Sequence, residues 1–488
     1  MPSVPEIRIA PCNDVPVNPR GGYVLYWMIA ARRTRWNFSL QRAVEWCIEL
    51  KKPLTIFEPL RIGYRWSSDR FHRFILDGMA ANAKALKKSH AAYYPYVEPF
   101  PDADKGLLAA LAARACVVVT DDFPAFFIPS MIKAASRRLP VRMEKVDGNG
   151  LLPMGAADSA FTAAQFFRRF LQRELPAHLA LMPEAEPLKT NTPAAPLPVP
   201  KEIMKQWPPV SQEWLEGDPK AFSALNIDHH VAAVELLGGS KEAAKRLKVF
   251  LDTKLSLYPE NRNHPDEDGT SGLSPYLHFG HISVHEVFQG LAEREDWALD
   301  HLPKKATGGR AGWWRMSEAA ESFLDELVTW REIGFNMCRL REDYDRYDSL
   351  PEWALNTLSR HGKDRRTHLY PLERFEKAET HDPLWNAAQT QLVREGRIHN
   401  YLRMVWGKKI LEWTSSPREA LEIMIQLNNK YALDGRDPNS YSGTMWCLGR
   451  YDRAWGPERP VFGKIRYMSS ENTMRKLRLS EYMSTYAP

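Results

Sequence analysis

The chain has 488 residues, too many for one ordinary hydrophobic core, so two or three domains are expected. Hydrophobic residues make up 44% and charged residues 26%, which excludes a disordered chain, and the lack of an apolar run of 18 or more residues excludes a membrane-spanning helix. Five scattered cysteines support neither a disulfide framework nor a zinc site, and the N-terminus lacks the apolar core of a secretory signal, so we expect a cytoplasmic protein without a bound metal.

Strands and helices alternate over roughly the first 150 residues. Apolar periodicity predicts strands at 21–28, 53–60 and 115–123 and helices at 39–52 and 70–89. This order predicts an α/β domain with a doubly wound parallel sheet, which we assign to residues 1–182. No GxGxxG follows the first strand, so a Rossmann dinucleotide site is not indicated, although polar groups at strand ends could still form a cleft where the strand order reverses.

Eight prolines between residues 183 and 209 change the composition abruptly. Because proline removes a backbone donor and breaks helices, this stretch predicts an extended interdomain linker, assigned to 183–215. Beyond it, segments such as ESFLDELVTWREIGFNMC and PREALEIMIQLNNKYAL follow a helical period. We therefore predict an all-α domain over residues 216–488.

The C-terminal part is basic and rich in tryptophan. Residues 361–488 contain 21 Lys and Arg against 15 Asp and Glu, an excess as large as the net charge of +6 of the whole chain. Of the 16 tryptophans, 12 follow residue 206. The charge permits salt-dependent binding to a polyanion, and the tryptophans indicate stacking on planar groups, either a flavin or nucleic-acid bases.

The loop before a predicted helix at about 275 is the first stretch that packing does not explain. It combines small side chains, hydroxyls and free backbone N–H groups, supplied by Gly269, Thr270, Ser271, Gly272 and Ser274. A chain cradles a diphosphate with such groups, although a Gly/Ser stretch is more often only a loop.

The segment RIHNYLRMVWGKKILEW (397–413) predicts a basic amphipathic helix with two tryptophans. Trp406 and Trp413 are seven residues apart, so they share a face and lie about 10 Å apart along the helix axis. They are either bulky core residues or the lining of a redox cofactor.

Several motifs occur in one order along the second half: GTSGLSPYLHFGHIS, ELVTWRE, HNYLRM, LEW and LDGRDPNSYSGTMW. In this order they closely resemble the FAD-binding domain of the photolyase/cryptochrome family. THDPLWNAAQTQLVREGRIHNYLRMVWGKKILEW, KYALDGRDPNSY and RPVFGKIRYM resemble class II cyclobutane pyrimidine dimer photolyases in particular. The resemblance covers residues 255–470 well and the N-terminal half more loosely. It implies an α/β domain, a linker, a helical domain that holds U-shaped FAD, and light-driven splitting of pyrimidine dimers in DNA.

The resemblance also implies cofactor residues. Tyr258 and the loop 270–274 would hold the phosphates and ribitol of FAD, and Asn400 and Arg403 would lie along the flavin, with Asp434 paired to Arg403. An anionic reduced flavin needs a fixed cation and hydrogen-bond donors, although this pair could also be purely structural. The full implied set is Tyr258, Thr270, Ser271, Gly272, Leu273, Ser274, Arg331, Asn400, Arg403, Asn428, Asp434 and Asp437. An antenna chromophore of the deazaflavin type in the N-terminal domain is implied by the resemblance alone.

One position departs from the wider family, which has an Asn six residues after the first Asp of the DGRD-like motif. That position is Ser440 in this chain. The class II pattern implies instead that Asn428, on the preceding helix, faces the redox-active nitrogen of the flavin, where an amide can bond both its protonated and deprotonated forms. The adjacent Asn429 is the alternative assignment.

By the same resemblance, the tryptophans pass electrons inward to photoexcited oxidised flavin. Trp406 is the implied inner donor, Trp385 the outer donor, and Tyr370 a candidate terminal donor. Trp385 lies one helix earlier, across a predicted break near Gly396. Trp413 is either a branch of the pathway or part of the core.

The implied substrate pocket combines Glu326 and Trp330, at i and i+4 on one helix face, with Met404 and Trp446. The two tryptophans would wall a flipped dinucleotide, and Glu326 would hydrogen-bond its carbonyl or imide edge and stabilise the radical anion. The alternative for Glu326 is an ion pair with Arg331 or another neighbour.

The predicted partner is double-stranded DNA that contains pyrimidine dimers, bound by a monomer that associates with the nucleoid. Candidate phosphate contacts are Lys363, Arg365, Arg366, Arg450, Arg453 and Lys464. The alternative function is a cryptochrome-like blue-light photoreceptor without repair activity, which the pocket residues and the lack of a long tail before Pro488 disfavour. Repair of the six-four photoproduct is disfavoured because Asn400 stands where that branch has a second His.

Overall fold

The computed structural model describes residues 3–190, 193–218 and 222–487. Contacts divide the chain into two compact units, neither of which is continuous in sequence. The first unit comprises Met1–Ala156, Glu174–Lys248 and Gly272–Leu299, and the second comprises Ala157–Arg173, Val249–Ser271 and Asp300–Pro488. The domain limits predicted at residues 182 and 215 were placed from changes in composition. They differ from the limits of these units and stay a prediction.

The first unit is built on one six-stranded sheet. Its strands are β1 (Ile9–Pro11), β2 (Tyr23–Trp27), β3 (Leu54–Leu60), β4 (Ala91–Val97), β5 (Ala115–Asp121) and β6 (Met143–Val146). The spatial order is β1-β6-β5-β2-β3-β4, and all pairs are parallel except β1 with β6. The predicted doubly wound parallel sheet is therefore confirmed. The sequence did not reveal β1 and β6, which are too short for a periodic pattern, or β4, whose proline is tolerated because this strand lies at the edge.

Helices, in chain order, make up most of the remaining regular structure. They are α1 (Phe38–Leu50), α2 (Asp69–Leu86), α3 (Leu107–Ala112), α4 (Ile128–Ser136), α5 (Ala164–Glu174), α6 (Pro176–Leu179), α7 (Pro187–Thr190), α8 (Lys201–Gln206), α9 (Gln212–Glu216), α10 (Ser240–Val249), α11 (Tyr258–Asn261), α12 (Ser274–His278), α13 (Val284–Arg294), α14 (Glu318–Leu324), α15 (Arg331–Leu340), α16 (Glu352–Arg360), α17 (Leu372–Glu376), α18 (Pro383–Glu395), α19 (Asn400–Trp413), α20 (Pro417–Tyr431), α21 (Pro438–Cys447), α22 (Ser470–Lys476) and α23 (Ser480–Thr485). Two π-helical turns, Phe250–Lys254 and Asp325–Trp330, follow α10 and α14. Within the described ranges no strand follows β6, which confirms the predicted helical second half. None of the described helices is both long and apolar enough to cross a membrane.

The sheet is covered on both faces, as a parallel sheet requires. Successive strand residues point to opposite sides. Val24 and Tyr26 pack in a core with Phe38 of α1, whereas Leu25 and Trp27 pack in a second core with residues of α3 and α4. This explains why β2 is buried along its whole length and why its sequence shows no polar alternation.

Strand order reverses between β2 and β5, the place where the sequence allowed a polar cleft. Asp121, at the end of β5, directs one carboxylate oxygen to the backbone N–H groups of Ile29, Ala30 and Ala31 at 2.8–2.9 Å. Its other oxygen accepts the Tyr26 hydroxyl at 2.8 Å. This carboxylate therefore fixes the chain after β2, and its hydrogen-bonding capacity is used within the fold.

The proline-rich stretch was expected to exclude helices, and this expectation is wrong. It contains three short helices, α7, α8 and α9. Pro187 is the first residue of α7 and Pro200 is the N-cap of α8, positions where the missing proline N–H would have no helical partner anyway. Trp207, at the end of α8, is buried in the same core as Leu25 and Trp27, so this segment packs against the sheet.

Candidate functional site

Three helices of the second unit, α19, α20 and α21, carry six of the predicted site residues: Asn400, Arg403, Met404, Trp406, Asn428 and Trp446. The preceding helix α18 begins after Asp382, whose side chain accepts the N–H of Trp385, and it ends at Gly396, where φ is 67°. Glycine adopts this left-handed conformation without strain, so the predicted break near residue 396 is confirmed. The helix α19 then starts at Asn400 and carries Arg403, Trp406 and Trp413.

Arg403 and Asp434 form an ion pair. One guanidinium nitrogen of Arg403 lies 3.1 and 3.3 Å from the two carboxylate oxygens of Asp434, and both side chains are largely buried. Asn400, one turn earlier, is exposed at the start of α19. The pair fixes a cation on α19, and its role beside a flavin stays a prediction.

Asn428 and Asn429 lie next to each other on α20 and have different environments. The side-chain N–H of Asn428 donates to the Ser440 hydroxyl at 2.5 Å, and among the described residues nothing donates to its Oδ1 oxygen. Asn429 is fully engaged: its oxygen accepts the backbone N–H of Arg436 at 2.9 Å and its N–H₂ donates to the Tyr441 hydroxyl at 3.2 Å. Asn429 thus holds the turn before α21, whereas the Asn428 oxygen accepts no hydrogen bond from the described residues, and its role toward a flavin stays a prediction. Ser440, the position that departs from the wider family, fixes the Asn428 amide.

Glu326 and Trp330 lie in the π-helical turn between α14 and α15. The predicted i, i+4 pair thus lies in a π-helical and not an α-helical turn, and this wider turn belongs to a class often found at functional sites. Glu326 forms its ion pair with Arg262 and not with Arg331. Burial raises the pKa of the Glu326 carboxyl above 4.5, and the Arg262 guanidinium opposes this rise only in part.

Trp330 and Trp446 stack on each other, with ring centroids 4.4 Å apart and planes inclined by 15°. A ring inserted between two others needs about 7 Å, twice a van der Waals spacing, so nothing planar fits between them. In this stack the inner faces of the two indoles cover each other, so the pair does not form two opposing walls around a planar group. Met404, on α19, is half-buried.

The remaining predicted cofactor residues differ in their surroundings. Tyr258 is buried beneath the Arg262 guanidinium, which lies 5.3 Å from its ring centroid, and burial raises the pKa of its phenol. Arg331 is buried over the Phe335 ring at 4.4 Å. Asp437 caps α21 by accepting the N–H of Asn439 at 2.9 Å. These contacts are structural, and the roles of the three residues toward FAD stay predictions.

The loop 270–274 is shared between the two units, with Thr270 and Ser271 in the second and the rest in the first. Gly272 has φ of 63°, and a Cβ there would lie 2.6 Å from a guanidinium nitrogen of Arg246, so this position requires glycine. Leu273 is buried and Ser274 is exposed. Arg246 is a basic residue beside this loop that the sequence pattern did not single out.

Four aromatic side chains form a continuous series in the second unit. The Trp406 and Trp385 rings are nearly parallel at 6.4 Å between centroids, Trp385 lies 6.1 Å from Trp413, and Trp413 lies 5.9 Å from Tyr370. The three tryptophans are buried, and the Trp406 indole N–H donates to Gln389 at 2.9 Å. Trp413 thus lies between the predicted outer donor and the predicted terminal donor.

The candidate phosphate contacts do not all reach solvent. Arg450 is buried and donates to the Tyr344 carbonyl at 2.6 Å and to Ser349, so its assignment as a phosphate contact is wrong. Arg366 is half-buried, with one nitrogen bound to two backbone carbonyls. Exposed side chains are those of Lys363, Arg365, Arg453 and Lys464.

Four buried polar atoms in the described ranges, at the start of α19 and on α19 and α21, lack a hydrogen bond that a ligand could supply. Among the described residues, the Arg403 Nε, the Trp446 indole nitrogen and both ring nitrogens of His399 are buried without a hydrogen bond. Buried polar atoms are nearly always paired in folded proteins. The carbonyl oxygens and ring nitrogens of a flavin could accept hydrogen bonds from these groups. Its imide N–H could donate to the Asn428 oxygen, which accepts no hydrogen bond from the described residues. The residues present therefore fit a flavin.

Solved structures share the fold. A class III photolyase from Agrobacterium tumefaciens aligns with a TM-score of 0.66 at 16% identity, covering 96% of this chain and 86% of that one. A Synechocystis cryptochrome aligns with a TM-score of 0.67 at 14% identity, covering 95% and 88%. No protein-family model matches the chain.

Curated relatives are more similar in sequence. A deoxyribodipyrimidine photo-lyase of Methanothermobacter thermautotrophicus is 33% identical over 484 residues, 98% of this chain and 97% of the relative. Proteins of the same name from Arabidopsis thaliana and Potorous tridactylus are 33% and 32% identical, covering 96% and 95% of this chain and 90% and 81% of theirs. Identity of this level over nearly the whole length shows common descent, and the chain therefore belongs to the photolyase/cryptochrome family.

Proposed function

We propose that this protein binds FAD and repairs cyclobutane pyrimidine dimers in double-stranded DNA with light, as a class II photolyase. The observation that carries the proposal is the stacked pair Trp330 and Trp446, with Glu326 about one turn before Trp330 on the same helix. The names of the relatives, with identities of about 33% over nearly the full length, support the same reaction.

The proposed substrate is a dimer flipped out of the duplex. Flipping costs a few kcal/mol, and it costs least at damaged bases that stack poorly, which makes the site selective. The outer face of the indole stack offers a flat surface on which a flipped base can stack, worth about 1–3 kcal/mol for each base that stacks. Glu326, held in its ion pair with Arg262, accepts a hydrogen bond from the imide edge of the dimer.

The proposed cofactor residues are Arg403, Asp434 and Asn428. When bound, reduced FAD supplies the photoexcited electron donor. The Arg403 guanidinium holds negative charge in place, and Asp434 keeps that guanidinium oriented. The Asn428 amide, locked by Ser440, presents its oxygen to a ring N–H. His399 and Trp446 supply further buried groups for hydrogen bonds to the ligand.

The first experiment tests cofactor and reaction together. Purified protein is examined by absorption for flavin and for any antenna chromophore. An oligonucleotide duplex with a single cyclobutane dimer is then illuminated with the chemically reduced protein, and the repaired strand is separated by chromatography. We expect bound FAD and light-dependent repair. Protein that binds flavin and is photoreduced but repairs no dimer would instead support a photoreceptor.

The second experiment tests Glu326. Glu326→Gln retains the shape of the side chain but removes its charge and one of its two acceptor oxygens, so the repair yield should fall several-fold, as expected for one hydrogen bond of about 1 kcal/mol. Glu318→Gln is the matched control, because Glu318 is exposed on the neighbouring helix α14. Equal repair by both variants would remove Glu326 from the reaction.

Several finer predictions remain proposals of the sequence: a monomeric state, a cytoplasmic location with association to the nucleoid on DNA, and a deazaflavin-type antenna. Sedimentation of the purified protein tests the first, and its absorption spectrum tests the last.

A further inference from the structure

Tyr370 is held at its hydroxyl by a single histidine. The Tyr370 oxygen lies 2.8 Å from Nδ1 of His381, and the backbone N–H of His381 donates to the same oxygen at 3.1 Å. The backbone N–H can only donate, so it occupies a lone pair of the hydroxyl oxygen. In the His381 tautomer that carries its proton on Nε2, the hydroxyl proton of Tyr370 is directed toward Nδ1.

His381 lies between the aromatic series and solvent. Its ring lies 4.9 Å from the Trp413 ring, and the His368 ring stacks on it at 3.7 Å. His381 and His368 are exposed, whereas Tyr370 is half-buried. A proton that reaches His381 can therefore pass to water, while Trp413 behind it lies in the core.

We propose that His381 is the proton acceptor for the oxidation of Tyr370. The inference rests on the proposed function, in which photoexcited oxidised flavin is the oxidant that leaves an electron deficit on the tryptophans. One electron moves from the Tyr370 phenol to the Trp413 radical cation, the O–H bond of Tyr370 breaks, and an N–H bond forms at Nδ1 of His381. The products are neutral Trp413, a neutral tyrosyl radical and an imidazolium.

The chemistry requires such an acceptor. A phenol that loses an electron becomes a strong acid. Oxidised Tyr370 therefore releases its proton if a base is within reach, and it keeps the positive charge only if no base can accept that proton. The acceptor must lie within hydrogen-bond reach before the electron moves. Separation of the proton from the radical then slows the return of the electron to Tyr370.

Groups around His381 keep its imidazole neutral. Partial burial lowers the pKa of His381 below 6.5, and the nearby His368 and Lys409 act in the same direction. Asp382 and Glu412 oppose them and do not reverse the shift. On the other side, the Arg374 guanidinium lies 5.9 Å from the Tyr370 ring centroid. At neutral pH the imidazole is therefore an unprotonated base, as the step needs.

The test is time-resolved absorption and electron paramagnetic resonance of holoprotein with oxidised flavin after a light pulse. Wild type should give a short-lived tryptophan radical and then a tyrosyl radical, and Tyr370→Phe should give only the former. His381→Phe keeps a ring against Trp413 but has no base, so tyrosyl formation should slow by roughly 100-fold, the lower range for a positioned base. His381→Gln retains a hydrogen bond and should be slowed as well. His368→Phe is the matched control and should form the tyrosyl radical at nearly the wild-type rate.

A second readout compares a titration measured in the dark with the pH dependence of the light reaction. In the dark holoprotein, ¹⁵N resonances of His381 should titrate below pH 6.5, and tyrosyl formation in wild type should be lost as the pH falls through the same value. Tyrosyl formation in His381→Phe at the wild-type rate, or a yield that ignores the titration of His381, would overturn the inference. A protein that binds no flavin or gives no tryptophan radical in any variant would instead refute the proposed function.

Discussion

Lys408 lies on α19 between Trp406 and the end of the helix, and its side chain is fully buried. Its ammonium donates to the Cys447 carbonyl at 2.7 Å, which ties α19 to the last residue of α21. Burial lowers the pKa of this lysine from 10.5 to about 8, against smaller opposing effects of Cys447 and Asp452. The buried charge therefore opposes folding, and Lys408→Met removes it while retaining the length of the side chain.

The magnitude follows from the two pKa values. The difference between 10.5 and about 8, at about 1.4 kcal/mol for each unit, corresponds to roughly 3 kcal/mol of destabilisation at neutral pH. The unfolded chain binds more protons between these values, so the stability of the wild type should rise with pH across this window. Loss of the hydrogen bond to the Cys447 carbonyl costs the variant about 1–3 kcal/mol at every pH. The variant should thus be similar to or slightly more stable than wild type at pH 7 and clearly less stable near pH 10.

Chemical denaturation at a series of pH values between 7 and 10 measures the free energy of unfolding of wild type and variant. The titrations of all other groups cancel in the difference between the two free energies. We expect this difference to change by roughly 2–3 kcal/mol across the window. Lys409→Met is the matched control, because the ion pair with Glu412 raises the pKa of Lys409 despite its burial. That variant should lose stability at pH 7, and its deficit should shrink only above pH 10.5. A difference for Lys408→Met that does not change with pH would refute the reasoning.

Three further predictions concern the site. Trp406→Phe should abolish photoreduction of oxidised flavin, measured by flavin absorbance, but leave repair by chemically reduced protein intact; photoreduction at the wild-type rate would exclude Trp406 from the pathway. Trp413→Phe should slow photoreduction several-fold, because this ring lies between Trp385 and the terminal tyrosine. Asn428→Ala should change the redox equilibrium of the flavin in a spectroscopic titration, whereas Asn429→Ala should lower the melting temperature instead, because it breaks the turn before α21; the reverse pattern would exchange the two assignments. Trp446→Ala should weaken binding of dimer-containing duplex by about 1–3 kcal/mol and spare undamaged duplex, with both affinities falling as salt rises; titration that finds equal loss on both duplexes would contradict the pocket.

The strands β2, β3 and β5 and the helices around them could be predicted from the sequence because each carries a local signal. The buried strand Tyr23–Trp27 is a continuous apolar run, and the helix α1 between β2 and β3 has a clear period. The helices in the proline-rich stretch were missed for a local reason as well. The prediction rested on the number of prolines, but the effect of a proline on a helix depends on its position in that helix. Pro187 and Pro200 lie at helix starts, where proline is tolerated.

Contacts between distant residues were predictable only through the family resemblance. Nothing local connects Arg403 with Asp434, 31 residues away, and the motif order suggested that pair. The partner of Glu326 was not suggested by any motif: Arg331, only five residues on, was the nearest cation in sequence, yet the pair forms with Arg262, 64 residues away. The π-helical turn that carries Glu326 also has no sequence rule, since the same residues fit an α-helical period.

The stacked indoles of Trp330 and Trp446 are already immobilised against each other in the protein without DNA. The entropy of ordering two large side chains has therefore been lost during folding, at about 0.5–1.5 kcal/mol for each, and is not lost again when DNA binds. A preorganised surface of this kind should act mainly on the lifetime of the complex. Trp330→Ala would then shorten that lifetime beyond the contacts it removes, because Trp446 would become free to change rotamer and would have to be ordered anew in every encounter.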